Sequence, residues 1–204
     1  MSELYITRHG QTEWNAERRL QGWQGSPLTD LGVQQAKWLK KRLQHVNFEA
    51  VYYSPLNRTQ KTAEILMQGR EIPLIKEPGL KEINMGTLEG KTFEEVEAMY
   101  PTVFSTFWKA PHKYIPVTGE SFFDVRRRVI CAVESILSKH PSGKVLLVSH
   151  GCATKILLSH FEGRPLRKLW DPPRIQATSL SIVEVKDGKG TIILYGDTSH
   201  YQPS

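Results

Sequence analysis

The sequence predicts an α/β fold, a three-layer α/β/α sandwich around a mostly parallel central sheet. Short β-rich runs alternate with stretches of helical spacing, which is typical of parallel sheets. One run, Lys144–Val148, is apolar after its first residue, which indicates a strand buried on both faces. The 204 residues are enough for one domain with its own core, and we expect a single domain over 1–204.

Six strands are predicted from runs rich in β-branched and aromatic residues that end at turn residues. They are Leu4–Thr7, Phe48–Tyr53, Pro73–Lys76, Lys144–Val148, Thr178–Val185 and Thr191–Tyr195, the last two as a hairpin around Asp187-Gly188. The pairs His9-Gly10 and His150-Gly151 follow the first and the fourth strand closely. Because ligands bind at the carboxyl ends of parallel strands, both pairs are predicted to lie at a binding site.

Helices are predicted where apolar residues recur every three or four positions. One begins after the N-cap residue Thr29 and has Ala36, Leu39, Leu43 and Val46 on one face. The others are Asn57–Met67, Thr92–Tyr100, Glu120–Lys139 and a helix from Gly151 to about His160. Thr92 and Glu95 have the spacing of a capping box, which stabilises a helix start. We expect a small helical lid segment around 92–116.

Charge leaves two classes of partner open. The net charge of +6 and the pI near 9.3 suit nucleic-acid binding or an enzyme that collects small anions. The consecutive Arg126, Arg127 and Arg128 are predicted to be solvated on a helix and not to form a nucleic-acid patch. A helix turns neighbouring residues about 100° apart, so the three cannot form one stripe. No nucleic-acid motif is present, so we expect a small-molecule partner and no nucleic acid.

Composition predicts a cytoplasmic protein without a membrane partner. The mean hydropathy is −0.39, and no apolar run approaches the roughly 18 residues of a membrane span. The segment Met1–Ile6 is too short and too acidic for a signal peptide. Cys131 and Cys152 form no disulfide framework and lack metal-ligand spacing, so neither points to a metal site.

The residues at the first strand end suit chemistry at phosphorus. A histidine that attacks phosphorus needs a fixed tautomer and a cationic clamp on the phosphoryl oxygens. Arg8 precedes His9, and a guanidinium matches phosphate oxygens and stays charged. His150 lies at the end of another strand, which the fold can bring beside the first.

Four sequence blocks surround these residues. They are Thr7–Asn15 with Leu20–Trp23 and Pro27–Thr29, Ser54–Thr59 with Thr62-Ala63, Leu80–Ile83 with Gly86 and Glu89-Gly90, and Val148–Gly151. In this order the blocks resemble the histidine phosphatase superfamily, also called the cofactor-dependent phosphoglycerate mutase-like family. Further stretches resemble its short broad-specificity phosphatases of bacilli: Phe107–His112 with Tyr114 and Pro116, Gly119-Glu120, Asp124-Val125 and Gly196–His200.

The resemblance implies a broad-specificity phosphomonoester hydrolase that acts through a phosphohistidine. His9 would be the nucleophile, neutral at the attacking nitrogen, while its other ring nitrogen donates to a carbonyl. Arg8, Arg58 and His150 would bind the phosphoryl group and supply positive charge, so no metal and no cofactor are expected. Glu82 would protonate the leaving oxygen and then activate water, a role that a neighbouring phosphate dianion favours. Further contacts to the substrate are expected from Asn15, Gln21, Gly22 and Gly151.

The stretch between the third and fourth predicted helices has two interpretations. It is rich in ring side chains: Phe104, Phe107, Trp108, His112 and Tyr114. These residues either pack under a long connection or form an apolar wall that accepts varied leaving groups. On the second interpretation Trp108, His112 and Tyr114 line a leaving-group pocket, together with Trp23.

Three functions compete at this point. Hydrolysis is favoured over mutase activity, because the family's mutases are longer and carry a basic Arg-His-Tyr-Gly stretch where this chain has Ile83–Gly86. A binding module on the same fold would have lost its nucleophile or clamp, yet both are present. A pathway-specific phosphatase, such as an alpha-ribazole phosphatase, stays open beside the broad-specificity enzyme.

Overall fold

The computed structural model describes residues 1–202 and contains one six-stranded sheet with helices on both faces. The strands are β1 (Ser2–Arg8), β2 (Ala50–Tyr53), β3 (Leu74–Lys76), β4 (Gly143–Ser149), β5 (Leu180–Lys186) and β6 (Lys189–Asp197). The helices are α1 (Glu13–Ala16), α2 (Asp30–Leu43), α3 (Asn57–Met67), α4 (Phe93–Met99), α5 (Pro101–Lys109), α6 (Phe122–Lys139) and α7 (Gly151–Phe161). Among residues 1–202, no helix has the length and apolar character that a membrane crossing requires.

The strand order is β3-β2-β4-β1-β5-β6. Strands β3, β2, β4 and β1 are parallel, whereas the β5–β6 hairpin joins the edge of β1 with β5 antiparallel. The carboxyl ends of β2, β4 and β1 therefore lie side by side at one edge of the sheet. The predicted three-layer fold with a mostly parallel sheet is confirmed.

The sheet separates two apolar layers because side chains alternate along each strand. On β1, Leu4 and Ile6 belong to the layer that contains α6 and α7, whereas Tyr5 belongs to the layer with α2 and α3. Val145–Val148 is fully buried, as its continuous apolar pattern predicted. This packing on both faces fixes the strand ends from which the site is built.

Most predicted elements are present with small shifts at their ends. The helix over Asn57–Met67 agrees with the prediction, and Thr29 and Thr92 cap α2 and α4 as expected. Strand β2 begins at Ala50 and not at Phe48, and α2 ends before Val46. Helix α6 begins after Ser121, because the side chain of Ser121 caps the backbone N–H of Asp124.

The predicted lid segment is helical, but its helices extend further than the sequence pattern indicated. Helix α4 is followed directly by α5, and a short 3₁₀ turn covers Pro111–Lys113. The expected helical lid around 92–116 therefore includes a second helix, α5, for which the sequence analysis gave no separate bounds. Phe104, Phe107 and Trp108 have helical spacing, and Pro101 is in the first turn of α5, where proline is tolerated.

Candidate active site

Three side chains from adjacent strand ends meet at the carboxyl edge of the sheet. Ser54 follows β2, His150 follows β4 and His9 follows β1, so the strand order places His150 between the other two. The ring of His150 lies 5.2 Å from that of His9, measured between centres, and its Nε2 lies 2.7 Å from Ser54 Oγ. The fold thus brings together two histidines that are far apart in the sequence.

His9 is buried and held in one tautomer. Its Nδ1 lies 2.7 Å from the carbonyl oxygen of Gly10, to which it donates, and its Nε2 accepts from Arg58 Nε at 3.2 Å. Burial, followed by the charges of Arg58 and Arg8, holds the pKa of His9 well below its usual value near 6.5. The ring is neutral, and its Nε2 carries a lone pair and no proton.

Arg58 is fixed by backbone carbonyls of the loop that follows Gln21. Its Nη2 donates to Gly22 O at 2.6 Å and its Nη1 to Gln24 O at 2.9 Å, while Nε faces His9. Burial lowers the pKa of Arg58 to about 10, so it stays cationic at neutral pH. Arg8 approaches from β1, donates through Nη1 to Ile175 O at 3.1 Å and leaves its buried Nε without a partner within residues 1–202.

His150 is fully buried beside His9 and is predicted to donate rather than to carry charge. The Ser54 hydroxyl can donate to Nε2, which leaves the proton of the neutral ring on Nδ1, and Nδ1 has no partner among the described residues. Burial and the charge of Arg58 hold the pKa of His150 well below 6.5. In the unliganded site the guanidinium groups therefore supply the positive charge, and a charged His150 beside a bound phosphoryl group stays a prediction.

Glu82 lies across the start of α7. Its Oε2 accepts from Cys152 N at 3.0 Å, and its Oε1 accepts from Ala153 N at 3.1 Å and from Ile83 N at 2.9 Å. The first turn of a helix has N–H groups without intrahelical partners, so a carboxylate fits there. A Cβ added to Gly151 would lie 3.6 Å from the Arg8 guanidinium and 3.8 Å from Glu82 Oε2, which places both groups around one point.

The amide side chains predicted for substrate binding line the same cavity. The Oδ1 of Asn15 is held by Thr12, which leaves its amide N–H groups available, and the Oε1 of buried Gln21 has no partner within residues 1–202. Gly22 has a φ of +59°, and a side chain there would collide with the carboxylate of Glu89. The glycine therefore allows this loop to approach both Glu89 and Arg58 closely.

Glu89 orders the loop that holds Arg58, a role that the sequence analysis did not identify. Its two oxygens accept from Trp23 N and Gln24 N at 2.9 Å each and from Met85 N at 3.0 Å. The loop carbonyls of Gly22 and Gln24 that bind Arg58 are thereby fixed. The Glu89-Gly90 pair of the third block was the available signal, although no function could be assigned to it from its position in that block.

The cavity beside His9 has a volume of about 530 Å³, and its outer wall combines apolar side chains with the basic Arg19, Lys155 and Arg174. The apolar residues of this wall include Leu20, Ile83, Met85, Phe93, Phe107, Trp108, Trp170 and Ile175. Of the predicted leaving-group pocket, Trp108 lies in the wall. Tyr114 is buried against Phe107 and Phe122, and His112 is exposed on the 3₁₀ turn outside the wall.

Trp23 also lies outside the cavity wall. Its indole Nε1 donates to the carbonyl oxygen of Glu82 at 2.9 Å, and the Lys81 ammonium lies 4.0 Å from the centre of its ring. Arg128 donates to the same carbonyl oxygen from α6 at 2.8 Å. The prediction that all three arginines of 126–128 form a solvated face is therefore wrong for Arg128, whose side chain is 21% exposed.

A neutral imidazole whose unprotonated Nε2 faces Arg58, with Arg8 nearby, at the carboxyl edge of a parallel sheet is an arrangement that suits a phosphate-type anion. Residues 1–202 contain no group of three or more His, Cys, Asp or Glu side chains arranged for a metal ion. The chain belongs to the histidine phosphatase superfamily (branch 1), whose family model matches residues 4–198. The membership predicted from the four blocks is confirmed.

Particular relatives cover nearly the whole chain. The Yersinia pestis (strain Pestoides F) protein named "Probable phosphoglycerate mutase GpmB" is 37% identical over 213 residues, which cover 98% of this chain and 95% of that protein. The structure of Bacillus stearothermophilus YhfR has 47% identity and a TM-score of 0.96 over 98% of this chain and 99% of its own. The alpha-ribazole phosphatase from Shigella flexneri has 26% identity and a TM-score of 0.87 over 96% of each chain.

Proposed function

We propose that this protein is a phosphomonoester hydrolase that acts through a phosphohistidine on His9. The observation that carries the proposal is the fixed tautomer of His9. Because Nδ1 donates to Gly10 O, Nε2 carries the lone pair and no proton; it accepts from Arg58 in the unliganded site, and it can attack once a phosphoryl group takes over the guanidinium. An anionic phosphoryl group bound at this place would meet a nucleophile and its counter-charges together.

In the first proposed step, the Nε2 lone pair of His9 attacks phosphorus and the bond from phosphorus to the leaving oxygen breaks. Protonated Glu82 transfers its proton to that oxygen, and the alcohol departs. Arg8, Arg58 and the Nδ1–H of His150 hold the phosphoryl oxygens, while Asn15 and Gln21 add hydrogen bonds. A preorganised set of donors stabilises the charge that develops in the transition state without reorganising.

In the second proposed step, water attacks the phosphohistidine and transfers a proton to the Glu82 carboxylate. The phosphorus–nitrogen bond breaks, its electron pair returns to Nε2, and inorganic phosphate is released. The carboxyl group is then protonated for the next substrate. The N–H groups of α7 and the nearby Arg8 suit the Glu82 carboxylate that accepts the proton from water. A bound phosphate dianion favours the protonated form that the first step requires.

The alternative function is a phosphoglycerate mutase, since the Yersinia relative has that name. A mutase must also hold the carboxylate of its substrate and keep water from the phosphohistidine. The chain places buried apolar Ile83 and Met85 in the cavity wall next to Glu82, where the family's mutases carry basic residues. The apolar side chains at these two positions support hydrolysis of varied monoesters over transfer between two phosphoglycerates.

The test compares hydrolysis with transfer. The purified enzyme, treated with chelator, is assayed for phosphate release from a panel of monoesters, and for conversion of 3-phosphoglycerate primed with 2,3-bisphosphoglycerate. We expect phosphate release from several esters and an acid-labile phosphoryl group on the His9 peptide after rapid denaturation. Mutase turnover that exceeds phosphate release would favour the alternative, and a label on any other residue would refute the mechanism.

A further inference from the structure

Arg128 on α6 is a partly buried cation to which the mechanism above gives no role. All five N–H groups of its guanidinium are engaged. Nε and Nη2 bind the two carboxylate oxygens of Glu120 at 2.7 Å each, and Nη2 also donates to Glu82 O at 2.8 Å. Nη1 donates to Lys81 O at 2.6 Å and to Gly79 O at 3.0 Å. Arginine is the side chain that can satisfy this planar set.

The targets of Arg128 are backbone carbonyls of the segment that carries Glu82. Glu120, its partner, accepts from Asn84 N at 2.9 Å and donates its own N–H to Asn84 O at 2.9 Å. The Arg128–Glu120 pair therefore holds residues 79–84 against α6 at four places. Since Glu120 neutralises the guanidinium, this support places little net charge beside the carboxyl of Glu82.

Two donors from different parts of the chain converge on one atom, the carbonyl oxygen of Glu82. Arg128 reaches it from α6 and Trp23 from the loop that supports Arg58. The carboxyl group of the same residue is bound by the first turn of α7. Glu82 is thus fixed at both its backbone and its side chain, which is the arrangement that proton transfer to a defined oxygen requires.

We propose that Arg128 and Trp23 are positioning residues for proton transfer by Glu82. This inference rests on the proposed function, because it acts through the Glu82 carboxyl. If their hydrogen bonds to the carbonyl are removed, the backbone at Glu82 is free to shift, and the carboxyl group no longer meets the leaving oxygen. Cleavage of esters with poor leaving groups then suffers most, because these depend most on protonation.

The experiment measures kcat/KM for p-nitrophenyl phosphate and for phenyl phosphate, whose leaving group is poorer at nearly equal size. For Arg128→Met we expect the ratio of the two values to rise about tenfold, and for Trp23→Phe about threefold. Arg128→Lys keeps the positive charge but not the planar guanidinium, so it is expected to raise the ratio by less than Arg128→Met does. Glu82→Gln, measured in parallel, is expected to raise the ratio by about 10² or more.

The chain supplies a matched control in the neighbouring arginine. Arg127 contacts Asp124, its side chain is 79% exposed, and Arg127→Met should leave the ratio unchanged. Trp23→Phe protects the test against misfolding of the Arg128 variants, because the indole is 40% exposed and phenylalanine keeps a ring under Lys81. The inference is overturned if Glu82→Gln raises the ratio while folded Trp23→Phe and Arg128→Lys do not. An unchanged ratio in Glu82→Gln would overturn both the inference and the proposed role of Glu82.

Discussion

The inner end of the cavity and its outer wall are held together by different interactions. At the inner end, hydrogen bonds to backbone groups fix three of the charged or titratable side chains: His9 by Gly10 O, Arg58 by Gly22 O and Gln24 O, and Glu82 by the N–H groups of α7. The outer wall consists of rings packed on one another. Trp108 lies with its ring centre 4.9 Å from that of Phe107 and 5.1 Å from that of Trp170.

This difference separates reaction from recognition. Directional bonds fix positions to fractions of an ångström, which suits nucleophilic attack and proton transfer. Contacts between rings are less directional and tolerate changes of shape, which suits a wall that meets varied leaving groups. Substitutions at the inner end should therefore abolish turnover, whereas substitutions in the outer wall should change the ranking of substrates.

The largest expected effect is that of His9→Ala. With no Nε2 to attack phosphorus, kcat for p-nitrophenyl phosphate should fall by on the order of 10⁴-fold or more, and no phosphohistidine should form. His45→Ala is the control, because His45 is exposed on the far end of α2 and should leave kcat unchanged. If His9→Ala retained activity, His9 would not be the nucleophile.

Arg58→Lys tests whether the inner end depends on geometry as well as charge. A lysine keeps the positive charge, but its single nitrogen cannot reach Gly22 O, Gln24 O and His9 together. We expect kcat/KM to fall about 10²- to 10³-fold with little change in melting temperature. Arg18 is exposed and paired with Glu94, so Arg18→Lys should leave kcat/KM unchanged. Full activity in Arg58→Lys would mean that charge alone is sufficient.

Acid should lower the free energy of unfolding through the buried histidines of the inner end, because the aromatic rings of the outer wall do not titrate. The pKa values of buried His9 and His150 are held well below 6.5, so below pH 6.5 the unfolded chain binds protons that the folded chain does not. The stability contributed by the neutral rings is therefore present above pH 6.5 and is lost as pH falls. Between pH 7 and pH 5.5 each histidine should lower the free energy of unfolding by about 1 kcal/mol. Burial lowers the pKa of His200 to about 4, which acts in the same direction.

Urea unfolding at the two pH values measures this loss. In His9→Asn the difference between the two free energies of unfolding should be smaller by about 1 kcal/mol, whereas exposed His45→Asn should preserve it. If the unsubstituted protein, His9→Asn and His45→Asn all lost the same free energy of unfolding between the two pH values, His9 would be protonated in the folded state.

The sequence predicted the parts of the fold that depend on local patterns. Helix α3 agrees in its bounds, and Thr29 and Thr92 are the caps that were expected, because caps and apolar spacing are local signals. Helix α5 lies within the predicted lid around 92–116, but its bounds were not predicted, and the role of its aromatic residues was left open between packing and a cavity wall. Their use in the wall depends on contacts with Trp170, which lies about sixty residues further along the chain.

The candidate site shows the same division between features that local sequence motifs predict and contacts that only the folded chain reveals. The motif residues His9, Arg58 and Glu82 were found from their blocks. The resemblance implied a carbonyl acceptor for His9, but the groups that hold Arg58 and Glu82 were not found, because they are backbone carbonyls and N–H groups, which every residue carries. Arg128 was missed for a related reason: in the sequence it cannot be distinguished from exposed Arg127, and only the contacts across α6 separate them.

Trp108→Ala tests the outer wall alone, and its effect on turnover should be smaller than that of His9→Ala or Arg58→Lys. Trp108 is 37% exposed, lines the cavity and contacts Phe93, Phe107 and Trp170. Removing the indole takes about 1–2 kcal/mol of apolar contact from a bulky leaving group, equivalent to roughly tenfold in kcat/KM. The rate for 1-naphthyl phosphate should fall by this factor relative to glycerol 2-phosphate, while kcat for the smaller ester changes little.

Phe123→Ala is the matched control for the outer wall. Phe123 is also aromatic, is 55% exposed on α6 and lies outside the cavity lining. Its removal should preserve the ranking of the two esters. If Trp108→Ala leaves the rates for both esters unchanged, Trp108 serves to pack α5 against the loop of Trp170. Selection among leaving groups must then be assigned to other residues of the wall. If Trp108→Ala instead lowers both rates equally, the two halves of the cavity are coupled, because an outer ring would then be positioning the inner groups.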